Sequence, residues 1–141
     1  MIVIDTGGIL ALLDRNDRYH AAVRLLFERE NGRWILPWAI LPEVDYLANR
    51  NLGPEVAHAF AEAVRDGQFR VDANVSRDFP RAVALLDRYR NLRIGLVDAV
   101  VMAQAERHRA EAIVTLDTRH FRAVRLTLPK PPRLLPLDES P

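Results

Sequence analysis

The chain has 141 residues, of which 49% are hydrophobic and 28% charged, a balance that excludes a disordered chain and fits one compact domain. Its net charge of +1 announces no general polyanion binder, and the absence of cysteine removes disulfides, zinc knuckles and thiol nucleophiles. No apolar run approaches the roughly 20 residues needed to span a bilayer, and Met1–Gly8 has no cationic lead, so the expectation is a cytoplasmic protein without a secretory leader.

Met1–Ile4 is apolar and largely β-branched, and it runs into Asp5-Thr6-Gly7-Gly8. That predicts a buried strand turning into a helix, with Ile9, Leu10, Leu12 and Leu13 as the apolar stripe. Tyr19–Glu30 reads as a second helix, with Ala22, Val23, Leu26 and Phe27 on one face and Asn31-Gly32 as its stop. Trp34–Leu36 reads as a strand. A third helix runs from about Trp38 to Arg50, provided Pro42 lies in its first turn. Pro54 suits the start of a fourth helix ending near Asp66. Phe69–Val71 reads as the next strand, Ser76–Tyr89 and Leu96–His108 as helices, and Ala112–Thr115 as a further strand. A short fifth strand is expected near Val124. The proline-rich residues 129–141 are expected to add an edge strand at Leu134–Leu137 and otherwise to form a loose tail, apart from a domain at 1–128. Short apolar strands alternating with helices predict an α/β fold, a mainly parallel sheet covered by helices.

Parallel sheets gather function where strands end at their carboxyl edge. Asp5 ends the first strand, Asp117 closely follows the fourth, Glu43 opens the third helix and Asp98 opens the sixth. Taken singly, each has a structural use: Asp5 or Thr6 as a helix cap, Asp98 and Glu43 as first-turn acids facing a helix dipole, Asp117 as a turn cap. As a set they are harder to explain so. Asp98 lies inside Leu96–Met102 and Asp5 follows Ile2–Ile4, and a buried carboxylate without a partner is costly. Lys130 is the only lysine. A divalent cation is the simplest common partner, and hard Mg²⁺ or Mn²⁺ prefers carboxylate oxygens. Such a pocket serves hydrolysis of phosphodiesters. Asp45 lies about 200° around a helix from Glu43 and so outside that pocket.

Val3–Thr6, Pro42–Leu47, Arg93–Ala99 and Thr115–Phe121, in this order and spacing, resemble the PIN domain, and specifically the VapC-type ribonuclease toxins of toxin–antitoxin systems. The resemblance covers nearly the whole chain. It implies a three-layer α/β/α sandwich and a Mg²⁺-dependent endoribonuclease, with Mn²⁺ as a substitute. It also implies a homodimer and a VapB-like antitoxin partner. It assigns Asp5, Glu43, Asp98 and Asp117 as catalytic metal-binding acids, and Thr6 and Thr115 as polar positions beside them that, with Arg119, would bind substrate. Many relatives carry serine where this chain has Gly7, so that hydroxyl is missing here.

Arg107, Arg109, Arg119, His120, Arg122 and Arg125 are candidates for RNA contact, with Arg119 nearest the fourth acid, and such contacts would be salt-sensitive. His20, His58 and His108 have no metal-like spacing and are expected on the surface, whereas Trp34, Trp38, Phe60, Phe69 and Tyr89 are expected in the core or a dimer contact. Apolar surface on residues 9–30 and 38–64 is the expected source of that dimer. A haloacid-dehalogenase-type phosphatase fails because Gly7 stands where its second aspartate belongs and the body of the chain lacks the lysine. Two alternatives remain open: a non-catalytic RNA-binding or scaffold module, and an RNA-processing nuclease that is not a toxin.

Overall fold

The computed structural model describes residues 1–139, with Asn31 described by its backbone alone. Strands β1 (Ile2–Ile4), β2 (Trp34–Pro37), β3 (Val71–Asp72), β4 (Ala112–Val114) and β5 (Arg133–Leu135) form one sheet in the order β3-β2-β1-β4-β5. Every pairing is parallel, with Ile4 opposite Val114 and Val3 opposite Ile35. The central strands are buried on both faces, which is why Ile2–Ile4 and Ala112–Val114 are apolar throughout rather than alternating.

The helices are α1 (Thr6–Leu13), α2 (His20–Glu30), α3 (Ile40–Leu52), α4 (Pro54–Arg65), α5 (Val75–Arg88), α6 (Leu96–Arg107) and α7 (Thr118–Ala123). From β1 to β3 the chain steps outwards in one direction, and from β4 to β5 in the other. Right-handed crossovers therefore lay α1–α4 over one face and α5–α7 over the other. This is the α/β/α sandwich expected of the sequence. The direction reverses between β1 and β4, so the crevice beyond their carboxyl ends is the topological switch point of the sheet.

Local chemistry accounts for the helix boundaries. Pro42 sits in the first turn of α3, where its missing N–H costs nothing. Gly53 joins α3 to α4 at φ +100°, a conformation that favours glycine, and Pro54 begins α4. Gly8 is required for packing: a Cβ there would lie 2.7 Å from the Val114 carbonyl oxygen and 3.0 Å from Ile4 Cγ1. Helix α1 thus rests directly on the end of the sheet.

Four expectations are corrected. Val124 is not in a strand; it caps α7, a six-residue helix in place of the expected turn. The strand expected at Phe69–Val71 lies at Val71–Asp72, because Phe69 joins Phe27, Trp34 and Phe60 in an aromatic cluster with ring centroids 5.1–5.6 Å apart. The edge strand is Arg133–Leu135 rather than Leu134–Leu137. The segment after β5, expected to be loose, is held up to residue 139. Asp138 accepts a hydrogen bond from the Leu134 N–H at 2.7 Å and pairs with Arg122, and Glu139 pairs with Arg29. The final two residues of the expected tail lie outside the described residues.

Candidate metal centre

Asp5 leaves β1 and caps α1. One carboxylate oxygen accepts from the Thr6 N–H at 2.7 Å, and the other from the Thr115 hydroxyl at 2.8 Å. Thr115, just past β4, also accepts from the Asp117 N–H at 3.0 Å. Its hydroxyl therefore ties the ends of β1 and β4 together across the switch point. Asp117 in turn caps α7 through the His120 N–H at 3.1 Å. Glu43 stands in the first turn of α3 and Asp98 in the first turn of α6, so the acids approach the crevice from both faces of the sheet.

Burial and mutual repulsion act on two of these acids. Asp5 is pushed up to about 7, first by burial and then by repulsion from Asp98, with a further push from Glu43. Asp98 is pushed up to about 6 by burial, by Asp117 and by Glu43, and His120 opposes the shift. Among the described residues, Asp5 and Glu43 have no ion-pair partner, and Asp98 has only the His120 ring at 3.7 Å. Thr6 is buried at the head of α1 with a hydroxyl oxygen that has no hydrogen-bond partner among the described residues. A crowded set of oxygen donors lacking a counter-charge fits a hard divalent cation. One ligand atom each from Asp98, Asp117 and His120 is close enough to share such an ion, and Asp5 and Glu43 add carboxylates at the same end of the sheet.

The sequence-derived candidates divide on structural grounds. Asp98 and Asp117 come together beside His120, Asp5 is tied to the Asp117 backbone through Thr115, and Glu43 is near enough to repel Asp5 and Asp98. Thr115 does not have the exposure that substrate contact requires: it is fully buried and its hydroxyl is engaged on both sides, so it props Asp5 and Asp117. Thr6 is nearly as buried. Arg119 is exposed and has no ion pair among the described residues. Asp45 is exposed and accepts a hydrogen bond from Asn49.

Arg107 is a correction. Rather than facing RNA, its guanidinium is spent inside the protein on Asp72 at 2.8 Å and on the buried Asp78 at 2.7 Å, with Gln104 donating to the same Asp78. Asp72 is held down at about 2, chiefly by Arg107. His108 is also no surface residue, since its ring packs against Asp72, and His20 is half-buried with Nδ1 2.9 Å from the Ala11 carbonyl. Arg122 pairs with Asp138. Trp34 and Phe60 are core residues, as expected, and the Tyr89 hydroxyl accepts from the Arg125 N–H at 3.0 Å.

His120, which the sequence offers as a candidate for RNA contact, stands beside two of the acids. Its Nδ1 lies 2.8 Å from Asp117 Oδ2, and one ligand atom each from Asp98, Asp117 and His120 fall within 4.8 Å of one another. The signal was the three-residue spacing from Asp117 to His120, which places both on one side of a helical turn. It is legible only once α7 is recognised as a helix.

The PIN domain family matches residues 2–126. Ribonuclease VapC26 of Mycobacterium tuberculosis is 29% identical over 124 residues, spanning 88% of this chain and 92% of that protein. The crystal structure of VapC20 from the same species, described as a sarcin–ricin loop cleaving toxin, superposes with a TM-score of 0.77 at 24% identity, covering 87% of this chain and 95% of that one. DNA-bound VapBC of Salmonella typhimurium superposes with a TM-score of 0.67 at 20% identity, covering 94% of this chain and 95% of that one. The fold, its switch-point crevice and a match across most of the sequence agree: the chain belongs to the PIN domain family.

Proposed function

We propose that the protein is a metal-dependent endoribonuclease that hydrolyses RNA phosphodiester bonds, acting in the cytoplasm as the toxin of a toxin–antitoxin pair. The observation that carries the chemistry is the acidic cluster at the switch point: ligand atoms of Asp98, Asp117 and His120 lie within 4.8 Å of one another, Thr115 joins Asp5 to the Asp117 backbone, and Asp5 and Asp98, both raised by burial and repulsion, have no lysine or arginine partner among the described residues. The toxin assignment rests on likeness to VapC26 and to the VapC and VapBC structures.

In this reading Asp5, Glu43, Asp98 and Asp117 hold Mg²⁺, with Mn²⁺ as a substitute. When bound, the ion supplies a Lewis acid and an acidified water for attack on phosphorus. Thr115 holds Asp5 Oδ2 and the Asp117 backbone, so two of the acids keep fixed positions relative to each other. The Thr6 N–H holds the second oxygen of Asp5. Arg119, exposed beside Asp117, binds backbone phosphate and positions it without reading sequence. An antitoxin of the VapB kind would silence the site by offering a cationic side chain to the acids.

The test is hydrolysis of a structured RNA by purified protein. Cleavage should require Mg²⁺ or Mn²⁺, stop in EDTA, and fall at least 100-fold in Asp5→Asn and Asp98→Asn. Full activity in chelator, or in either variant, would overturn the assignment. RNA binding without cleavage in metal would favour a non-catalytic module. Cleavage without growth arrest on expression would favour a processing nuclease.

A further inference from the structure

We propose that His120 supplies an imidazole nitrogen to the metal centre, tilting the site from Mg²⁺ towards transition-series divalent ions such as Mn²⁺. The inference rests on the reading of Asp98 and Asp117 as metal ligands and adds a donor that an all-carboxylate set lacks. Its basis is placement. His120 Nδ1 is 2.8 Å from Asp117 Oδ2 and 3.7 Å from Asp98 Oδ2. Neighbouring ligands of an octahedral ion with bonds of about 2.1 Å are separated by about 3 Å, and the two distances bracket that spacing. The nitrogen therefore already stands where an adjacent ligand would.

The ring is held there by its own element. The His120 N–H donates to Asp117 Oδ1, so the ligand acid and the imidazole share one turn of α7. Phe121, buried beside it, anchors that turn in the core. A neutral imidazole carries its proton on one ring nitrogen. Without metal, Nδ1–H donates to Asp117 Oδ2 at 2.8 Å; moving that proton to Nε2 frees the Nδ1 lone pair for an ion, and the change of tautomer releases no net proton.

Nitrogen changes the selectivity of the site. Mg²⁺ is a hard ion that prefers oxygen and gains little from imidazole, whereas transition ions gain more along the Irving–Williams order. Carboxylates alone would discriminate weakly between Mg²⁺ and Mn²⁺. Arg119 and Arg122, the cationic neighbours of His120 in sequence, are both exposed; Arg122 pairs with Asp138, and among the described residues neither forms an ion pair with Asp98 or Asp117.

Mn²⁺ is a direct probe because it is paramagnetic. Wild-type protein loaded with Mn²⁺ should show ¹⁴N modulation from a directly bound imidazole in pulsed electron paramagnetic resonance. His120→Ala and His120→Asn should lose that modulation. Each should bind Mn²⁺ about 10-fold or more weakly, with a smaller change for Mg²⁺. The folded state should persist in both variants, because the cap of α7 uses the backbone of residue 120; circular dichroism and melting check this. His108 packs on Asp72, His20 on Ala11 and His58 beside Glu62, so a signal from any of them would survive in the variants. Surviving ¹⁴N modulation in His120→Ala would overturn the inference. Mn²⁺ binding that Asp98→Asn abolishes, but with no nitrogen coupling in wild type, would overturn it too and leave the acidic site intact. Failure of wild type to bind Mn²⁺ at millimolar concentration would overturn both.

Discussion

Asp5 and Asp98 ionise late in the folded protein, at about 7 and about 6, against an ordinary aspartate value near 3.9. A raised acid binds its proton more tightly when folded, so its stabilising contribution is complete below about pH 4 and is lost as pH rises through 6 and 7. Asp72 behaves oppositely. Arg107 holds it at about 2, so its contribution is present above about pH 4 and fades only towards pH 2. Asp72 stays ionised from pH 4 to 8, so the difference between Asp98→Asn and wild type across that window reads the metal centre. In EDTA at pH 8, Asp98→Asn should be more stable than wild type by about 1–2 kcal/mol, the partial exposure of the side chain keeping the gain below that of a sealed group. At pH 4 the difference should vanish. Millimolar Mg²⁺ should then stabilise wild type more than the variant, by mass action on the folded state. Chemical denaturation at both pH values reads all three expectations, and an Asn variant destabilised equally at both would make Asp98 a simple helix-dipole partner.

At the scale of elements, α1 and α6 are placed by different physics. Helix α1 is short, and its glycines have separate jobs. Gly8 lets the helix touch the sheet, and a methyl group there meets the Val114 carbonyl. Gly8→Ala should cost about 1–3 kcal/mol by overpacking and should disturb Asp5, three residues before it. Gly7 has only ordinary contact with Leu116, 3.7 Å from an added Cβ. Gly7→Ala should be neutral or should gain up to about 1 kcal/mol of helix propensity. Melting curves of the two variants would check the contrast, and equal losses would mean that the packing of α1 is misjudged. Helix α6 is instead clamped to α5 and β3 by Arg107 and Gln104 acting on Asp72 and Asp78. That clamp fixes the carboxyl end of the helix whose first turn carries Asp98.

At the scale of the whole molecule, the apolar surface left over is not where the sequence suggested. Helices α2 and α3 each show one large exposed apolar residue, Leu25 and Tyr46. The coherent stripe is on α5, where Val75, Phe79 and Val83 recur every four residues and are all exposed. Such a stripe on a water-facing helix is the surface that a second copy of the chain would cover if the homodimer implied by the family resemblance forms. Sedimentation should show a dimer at micromolar concentration, and Phe79→Glu should shift it towards monomer without lowering the melting temperature of the monomer. A monomeric wild type would remove the dimer from the proposal. No described helix is long and apolar enough to cross a membrane.

Most of the fold was legible in the chain because its signals are local. Apolar runs at Ile2–Ile4, Trp34–Leu36 and Ala112–Val114 sit between helical periodicities, and a parallel sheet needs little else to be recognised. The position of Asp5 at a strand end was legible too, since an aspartate beside a strand of three buried residues has no local way to be solvated. What no local signal carries is the partner of a side chain. The sequence shows Arg107 and His120 equally as cations near the acids. Only the packing of α5 on α6 turns Arg107 inward to Asp72 and Asp78, and only the existence of α7 turns His120 towards Asp98 and Asp117. Thr115 belongs with them: its hydroxyl reaches Asp5 because β1 and β4 are neighbours in space though 110 residues apart in sequence. Composition and periodicity determined the layers and brought the acids to the carboxyl edge. Tertiary contact alone decided which polar groups hold those acids, because hydrogen bonds and ion pairs depend on distances that the chain sets only when folded.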